Sequence, residues 1–351
     1  RVNQAAGEDL LLTSACNYYA PGITQAEAEE FYARQKAEGD QQHPIMYGMN
    51  SRLERAADGS LHENVWRADG MYGAAIRQIV QMLSQAIPYA ENERQQSVIR
   101  KLIEFYETGN LAVFDAYTIL WVEETEGEVD FTNGFTEVYG DPLGLKASWE
   151  GYVNYTDHQA TRRAQALSRN AQWFEDHSPV DARFKKPLCR GVSAKVINAA
   201  ILGGDLYPSS AIGINLPNSN WVRAEHGSKS VTIANLTHAY DEAARGNGFR
   251  NEFADSTQTV SLMDRYGSVC DDLRTDLHEC LGHGSGRLLP GVDPDALKAY
   301  GSTIEEARAD LFGLYYLADE KLVELGLTPC QEAYKAQYYS YMMNGLLTQM
   351  V

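Results

Sequence analysis

Apolar positions recur at helical spacing through the first third of the chain. Ile76, Ile79, Val80 and Leu83 share one face of residues 69–88, and 90–108 and 110–124 keep the same three-to-four rhythm. The earlier segment ITQAEAEEFYARQKAEG carries its own boundary signals. Thr24 is placed as N-cap, Glu27 three residues later as its capping-box partner, and Gly39 as the stop. Residues 131–151, FTNGFTEVYGDPLGLKASWEG, lose that rhythm, and their glycines, aromatic residues and Asp-Pro step predict a loop. One long amphipathic helix is predicted over 156–177, ended by SPVD. The period then shortens: SAKVINAAILGG, AIGINLP and KSVTIANL read as strands bounded by Gly, Pro and Asn. Helical spacing returns after residue 245 and predicts helices over 258–283, 302–326 and 329–350. Helices, a small β region, then helices again define an α+β, helix-rich fold. A chain of 351 residues exceeds the usual reach of one hydrophobic core, so two lobes are expected.

Composition narrows the functions this fold can serve. A hydrophobic content of 44% and a charged content of 22% are ordinary for a soluble globular chain. The formal net charge of −18 argues against nucleic acid and anionic membrane as partners, since both require a basic face. It leaves two readings open, solubility and attraction of a cationic ligand. The five cysteines are odd in number and form no C-x-x-C pair, which fits a reducing compartment and a cytoplasmic location. No apolar run approaches the roughly 18 residues that span a bilayer, and the opening RVNQAAGEDLLLTSAC is a poor signal peptide.

The candidate chemistry lies in TDLHECLGHGSGRL, residues 275–288. His278 and His283 bracket Glu279 but stand five apart, where the zinc-protease signature has them four apart. On a regular helix five residues rotate by about 500°, which leaves the two rings roughly 140° apart. One extra residue in the turn, a π bulge, restores convergence, and Gly282 makes such a distortion cheaper. Candidates for a third ligand lie downstream in GSTIEEARADLFGLYYLAD. There Ser302 and Glu305 read as a capping box, Glu306 falls in the first helical turn, and Asp310 lies one turn on. The same acids would also complement a helix dipole, so metal ligation and capping both stand on spacing alone.

HECLGH followed by EEARAD resembles the dipeptidyl peptidase III family of zinc peptidases, marked by H-E-x-x-G-H and E-E-x-R-A-[ED]. GFTEVYGDPLG (134–144) and GINLPN (213–218) are similar to two further segments of that family. The resemblance implies one zinc per chain, held by His278, His283 and Glu306, with Glu279 as general base. It implies that Glu305 and Asp310 orient the histidines from behind. It further implies that Glu137, Asn215 and Asn218 hold the amino terminus of an oligopeptide, and that Tyr139 donates to the scissile carbonyl. The implied fold has two lobes across a cleft: residues 1–157 and 195–244 with a β-barrel-like core, and 158–194 and 245–351 as a helical, zinc-bearing lobe.

The expected activity is release of dipeptides from free N-termini. Two alternatives stay open: a catalytically weak peptide-binding protein on the same zinc fold, and a zinc amidase or endopeptidase of other specificity. Cys280, inside the motif, is either a small buried filler or an oxidisable brake. All eight histidines lie at or before His283, whereas the resemblance implies a later histidine at the transition state. The chain is therefore expected to be part of a longer enzyme.

Overall fold

The computed structural model describes residues 2–189, 193–208, 211–244, 246–292, 297 and 300–349. They form two compact units: Arg1–Asn154 with Ala200–Ser210 and Pro217–Ser228, and Tyr155–Ala199 with Ala211–Leu216 and Lys229–Val351.

In the first unit the helix Gln25–Glu38 forms with the expected reciprocal Thr24–Glu27 box and ends at Gly39. Helices Gly73–Ala86, Glu93–Thr108 and Leu111–Glu123 follow. Two features depart from the sequence reading. A hairpin of β1 (Ser51–Arg55) and β2 (Leu61–Val65) was not foreseen; short, charged strands leave little apolar alternation to read. The predicted loop over 131–151 contains instead β3 (Val129–Glu137) and the start of β4 (Ser148–Thr156). Alternate side chains of β3 turn inward, and the glycine and Asp-Pro signals apply only to the connection between the strands.

That connection is tied down. Lys146 is wholly buried; its ammonium donates to Ser51 Oγ at 2.9 Å and to the Tyr32 hydroxyl, with Glu63 at 3.7 Å. Burial pushes its pKa down to about 8, against the opposing pull of Glu63 and Asp141. Asp141 accepts the Tyr19 hydroxyl at 2.9 Å and the backbone amides of Leu145 and Lys146, both at 2.8 Å.

In the second unit the single helix expected over 156–177 is two, His158–Arg169 and Ala171–His177. Asn170 divides them and turns its side-chain amide back onto the Ala166 carbonyl. β5 (Ser193–Gly204) begins here; β6 (Gly213–Leu216) and β7 (Lys229–Ile233) complete its strands. β7 pairs parallel to β5 and antiparallel to β6. The strand order β3-β4-β5-β7-β6 is open, so the expected barrel-like core is corrected: the described strands form a sheet with two ends. The helix Thr257–Leu277 starts on Ser256, whose hydroxyl accepts the Thr259 amide. Its buried face, Leu273 and Leu277, shares a core with Leu167, Phe174, Leu281 and Tyr316. Burial of such side chains contributes about 1.5–3 kcal/mol each, which makes this helix a firm platform.

Candidate metal centre

At the end of that platform the helix changes pitch. His278–Gly282 is a π turn, and the His283 amide donates to the His278 carbonyl five residues back at 3.0 Å. The two imidazoles converge, their centroids 4.7 Å apart and their planes near perpendicular. Gly282 plays a different part from the one read in the sequence. A Cβ there would stand 2.8 Å from Ala309 Cα, so glycine is required for close approach of the helix Gly301–Leu317.

That helix brings three acids to the histidines. Asp310 Oδ1 lies 2.9 Å from His278 Nδ1, and Glu305 Oε1 lies 2.9 Å from His283 Nδ1. Ionised carboxylates only accept, so both Nδ1 atoms carry a proton, and in the neutral rings both Nε2 atoms present lone pairs. Those lone pairs face Glu306: Nε2 of His278 is 3.3 Å from its Oε2, and Nε2 of His283 is 3.7 Å from its Oε1. Two imidazole nitrogens and the Glu306 carboxylate thus lie close together, an arrangement that a proton or a metal cation between them would satisfy. Two ligands about 2.05 Å from one tetrahedral ion stand about 3.3 Å apart, so the donor set fits a small divalent metal. Glu279 also offers an oxygen within 4.8 Å of the imidazole nitrogens. It competes with Glu306 for the third position: Glu306 approaches the two rings through different oxygens, Oε2 toward His278 and Oε1 toward His283.

The electrostatics agree. The hydrogen bond that His283 donates to Glu305, outweighing burial, raises its pKa; a metal there competes with that proton. Burial alone would raise Glu305 and Asp310, yet hydrogen bonds hold both down at about 2. For Glu305 these come from His283 and Arg308; for Asp310, from His278 and Tyr341, with Arg274 adding its charge. Glu279 is pushed up by burial, with the two histidines opposing. The capping box expected at Ser302 and Glu305 is corrected. The helix begins at Gly301 behind Tyr300 without a side-chain cap, and the Glu305 carboxylate is spent on His283 and Arg308. Glu306 consequently sits in the second turn. Asp310, though a short acid, reaches His278.

Three groups here were not found by sequence reasoning. Arg274 donates to Asp310 Oδ1 at 3.0 Å, and the Tyr341 hydroxyl donates to Oδ2 at 2.6 Å. Nothing in the sequence marks Tyr341, one of 21 tyrosines. Arg308, which grips Glu305, was missed as well, although its i,i+3 spacing was a signal that could have found it.

Of the remaining candidates, Glu137 and Asn218 meet in the first unit. Asn218 Nδ2 donates to Glu137 Oε2 and to the Thr136 carbonyl, both at 3.3 Å. Burial raises Glu137, with Asn218 and Arg223 opposing. Tyr139 lies just beyond β3 and is 81% exposed. Asn215 belongs to the second unit, opposite Ser230 in the β6–β7 register.

The fold recurs in known proteins. The chain superposes on the structure of DPP III from Caldithrix abyssi with a TM-score of 0.76 at 21% identity, covering 94% of this chain and 61% of that one. For dipeptidyl-peptidase III from Corallococcus sp. strain EGB the values are 0.72, 23%, 93% and 59%. In sequence it is 25% identical to dipeptidyl peptidase 3 of Dictyostelium discoideum, over 93% of this chain and 52% of that protein. It is 26% identical to the human protein of that name, over 73% and 38%. Residues 35–298 match the family described as Peptidase family M49, and the chain belongs to that family. It spans about half the length of the Dictyostelium relative.

Proposed function

We propose that this chain carries the zinc centre and amino-terminal anchor of a dipeptidyl peptidase, which hydrolyses the second peptide bond from a free N-terminus. The observation that carries the reading is the convergence of two imidazole lone pairs and the Glu306 carboxylate, each imidazole backed by its own acid. His278, His283 and Glu306 hold one zinc. When bound, the metal supplies Lewis-acid activation of water and of the scissile carbonyl.

The protein's own groups do the rest. Glu279, raised by burial, is suited to accept the proton of the attacking water and return it to the leaving amine. Tyr139 donates its phenol proton in a hydrogen bond to the carbonyl oxygen as negative charge develops there. Glu137 takes the substrate ammonium, with Asn218 and Asn215 accepting its remaining N–H groups through their amide oxygens. The Asn218 amide is already turned so that its N–H₂ group faces Glu137, which leaves its oxygen for this role. Membership of the peptidase family and the likeness to the dipeptidyl peptidases support a peptide substrate. None of the described helices is long and apolar enough to cross a membrane.

Glu279→Gln tests the reading. The variant is expected to keep its zinc and its melting temperature and to lose at least about a hundredfold in turnover of a dipeptidyl-arylamide. Near-normal turnover would remove Glu279 from the chemistry.

A further inference from the structure

β6 opens on a glycine whose purpose is not conformational. Gly213 is absent from the glycines with positive φ, so its backbone accepts any L-residue. What it lacks is room. A Cβ built on Gly213 would overlap Glu279 Oε1 and stand 2.7 Å from Cδ and 3.2 Å from Cγ. These three atoms are its nearest neighbours, all from one side chain. The contact lies within the second unit, between the first residue of β6 and the second residue of the π turn.

Neither backbone has an easy retreat. Gly213 is in register with Thr232, its neighbour Ile214 with Val231, and the Ile233 amide donates to the Ile212 carbonyl at 2.8 Å. β7 is buried along its whole length, so β6 is held against a fixed strand. On the other side Cys280 and Leu281 are buried in the core and His278 is fixed by Asp310. The part left to move is the end of the Glu279 side chain, which must shift by roughly 1 Å to restore ordinary van der Waals contact.

We propose that Gly213 is a positioning residue for Glu279: the missing side chain at the head of β6 is the space in which the carboxylate is set. The backbone there forms one wall of the base's seat. This rests on the reading of Glu279 as general base. Misplacement of a reacting group by about 1 Å can cost on the order of a hundredfold. The expected consequence of a methyl group at 213 is therefore a loss in kcat with little change in KM, because none of the anchoring side chains, Glu137, Asn215 and Asn218, is altered.

The test is Gly213→Ala in the full chain, alone and with Glu279→Gln, assayed on a dipeptidyl-arylamide with zinc stoichiometry and melting temperature measured in parallel. The single variant should lose roughly ten- to a hundredfold in kcat, with KM within about threefold and zinc content unchanged. Added to Glu279→Gln it should cost no more than about twofold, because the group it displaces no longer acts as a base. A kcat within twofold of the parent, or an equal loss in both backgrounds, would overturn the proposal. If Gly213→Ala does not fold, Gly213→Ala with Glu279→Ala decides: recovered folding supports the overlap, and continued failure refutes it. The base reading fails separately, if Glu279→Gln alone retains turnover.

Discussion

Glu137 shows how one side chain is asked to do opposite things. It must be dry enough to distinguish an ammonium from water, yet ionised enough to bind it. Burial raises its pKa, and Asn218 and Arg223 bring it part of the way back. The sign of the resulting pH dependence follows. A raised pKa means that Glu137 takes up its proton at a higher pH than a free glutamate. The kcat/KM of unblocked peptides should therefore begin to fall above the usual carboxylate range as the solution is acidified, while N-acetylated peptides follow a different curve. Glu137→Ala should lower kcat/KM for unblocked peptides by roughly a hundredfold, from the loss of charged hydrogen bonds worth about 1.5–3 kcal/mol each. Acetylated peptides should change by no more than a few fold, and an equal loss for both would take Glu137 out of the anchor. At this scale the sequence was most legible where residue type and spacing are both constrained, as in His278, Glu279, His283 and Glu306. It was silent on Arg274 and Tyr341, because a contact made from a remote helix leaves no local pattern.

The π turn is the element on which the site depends. The five-residue spacing could be read as a demand for one extra residue in the turn, and that residue is present. The forces that hold the turn were only partly readable. Gly282 is small because Ala309 crosses it, and Arg163 braces the preceding helix through Asp276 at 2.7 Å and Asp272 at 3.0 Å. The orientation of His278 depends on Asp310, which in turn is held by Tyr341 and Arg274. Tyr341→Phe removes one hydroxyl from that chain and no ligand. It should weaken zinc binding by about tenfold, the lower end for such outer partners, with helix content unchanged. A dissociation constant within twofold of the parent, measured by chelator competition, would show that Asp310 needs no support from Tyr341. The elements misread were those in which local signals compete. The glycines and Asp-Pro of 131–151 outweighed the alternation that makes β3, and the Asn170 break lies inside a continuous apolar stripe.

On the scale of the whole molecule, the helix-rich α+β class was legible because the period of the apolar pattern changes twice along the chain. The open strand order was not, since pairing between distant strands has no signature in any one segment. The net charge of −18 bears on solubility and on attraction of cations rather than on the fold, which follows the apolar pattern. In the proposed centre a π turn converts two histidines five apart into a chelating pair completed by Glu306. X-ray absorption at the zinc edge, on protein loaded with one equivalent of zinc, tests it directly. The account predicts a shell of nitrogen and oxygen at about 2.0–2.1 Å, with the multiple scattering of two imidazoles, reduced to one in His283→Ala. A sulfur shell at about 2.3 Å, or an oxygen shell without imidazole scattering, would contradict it.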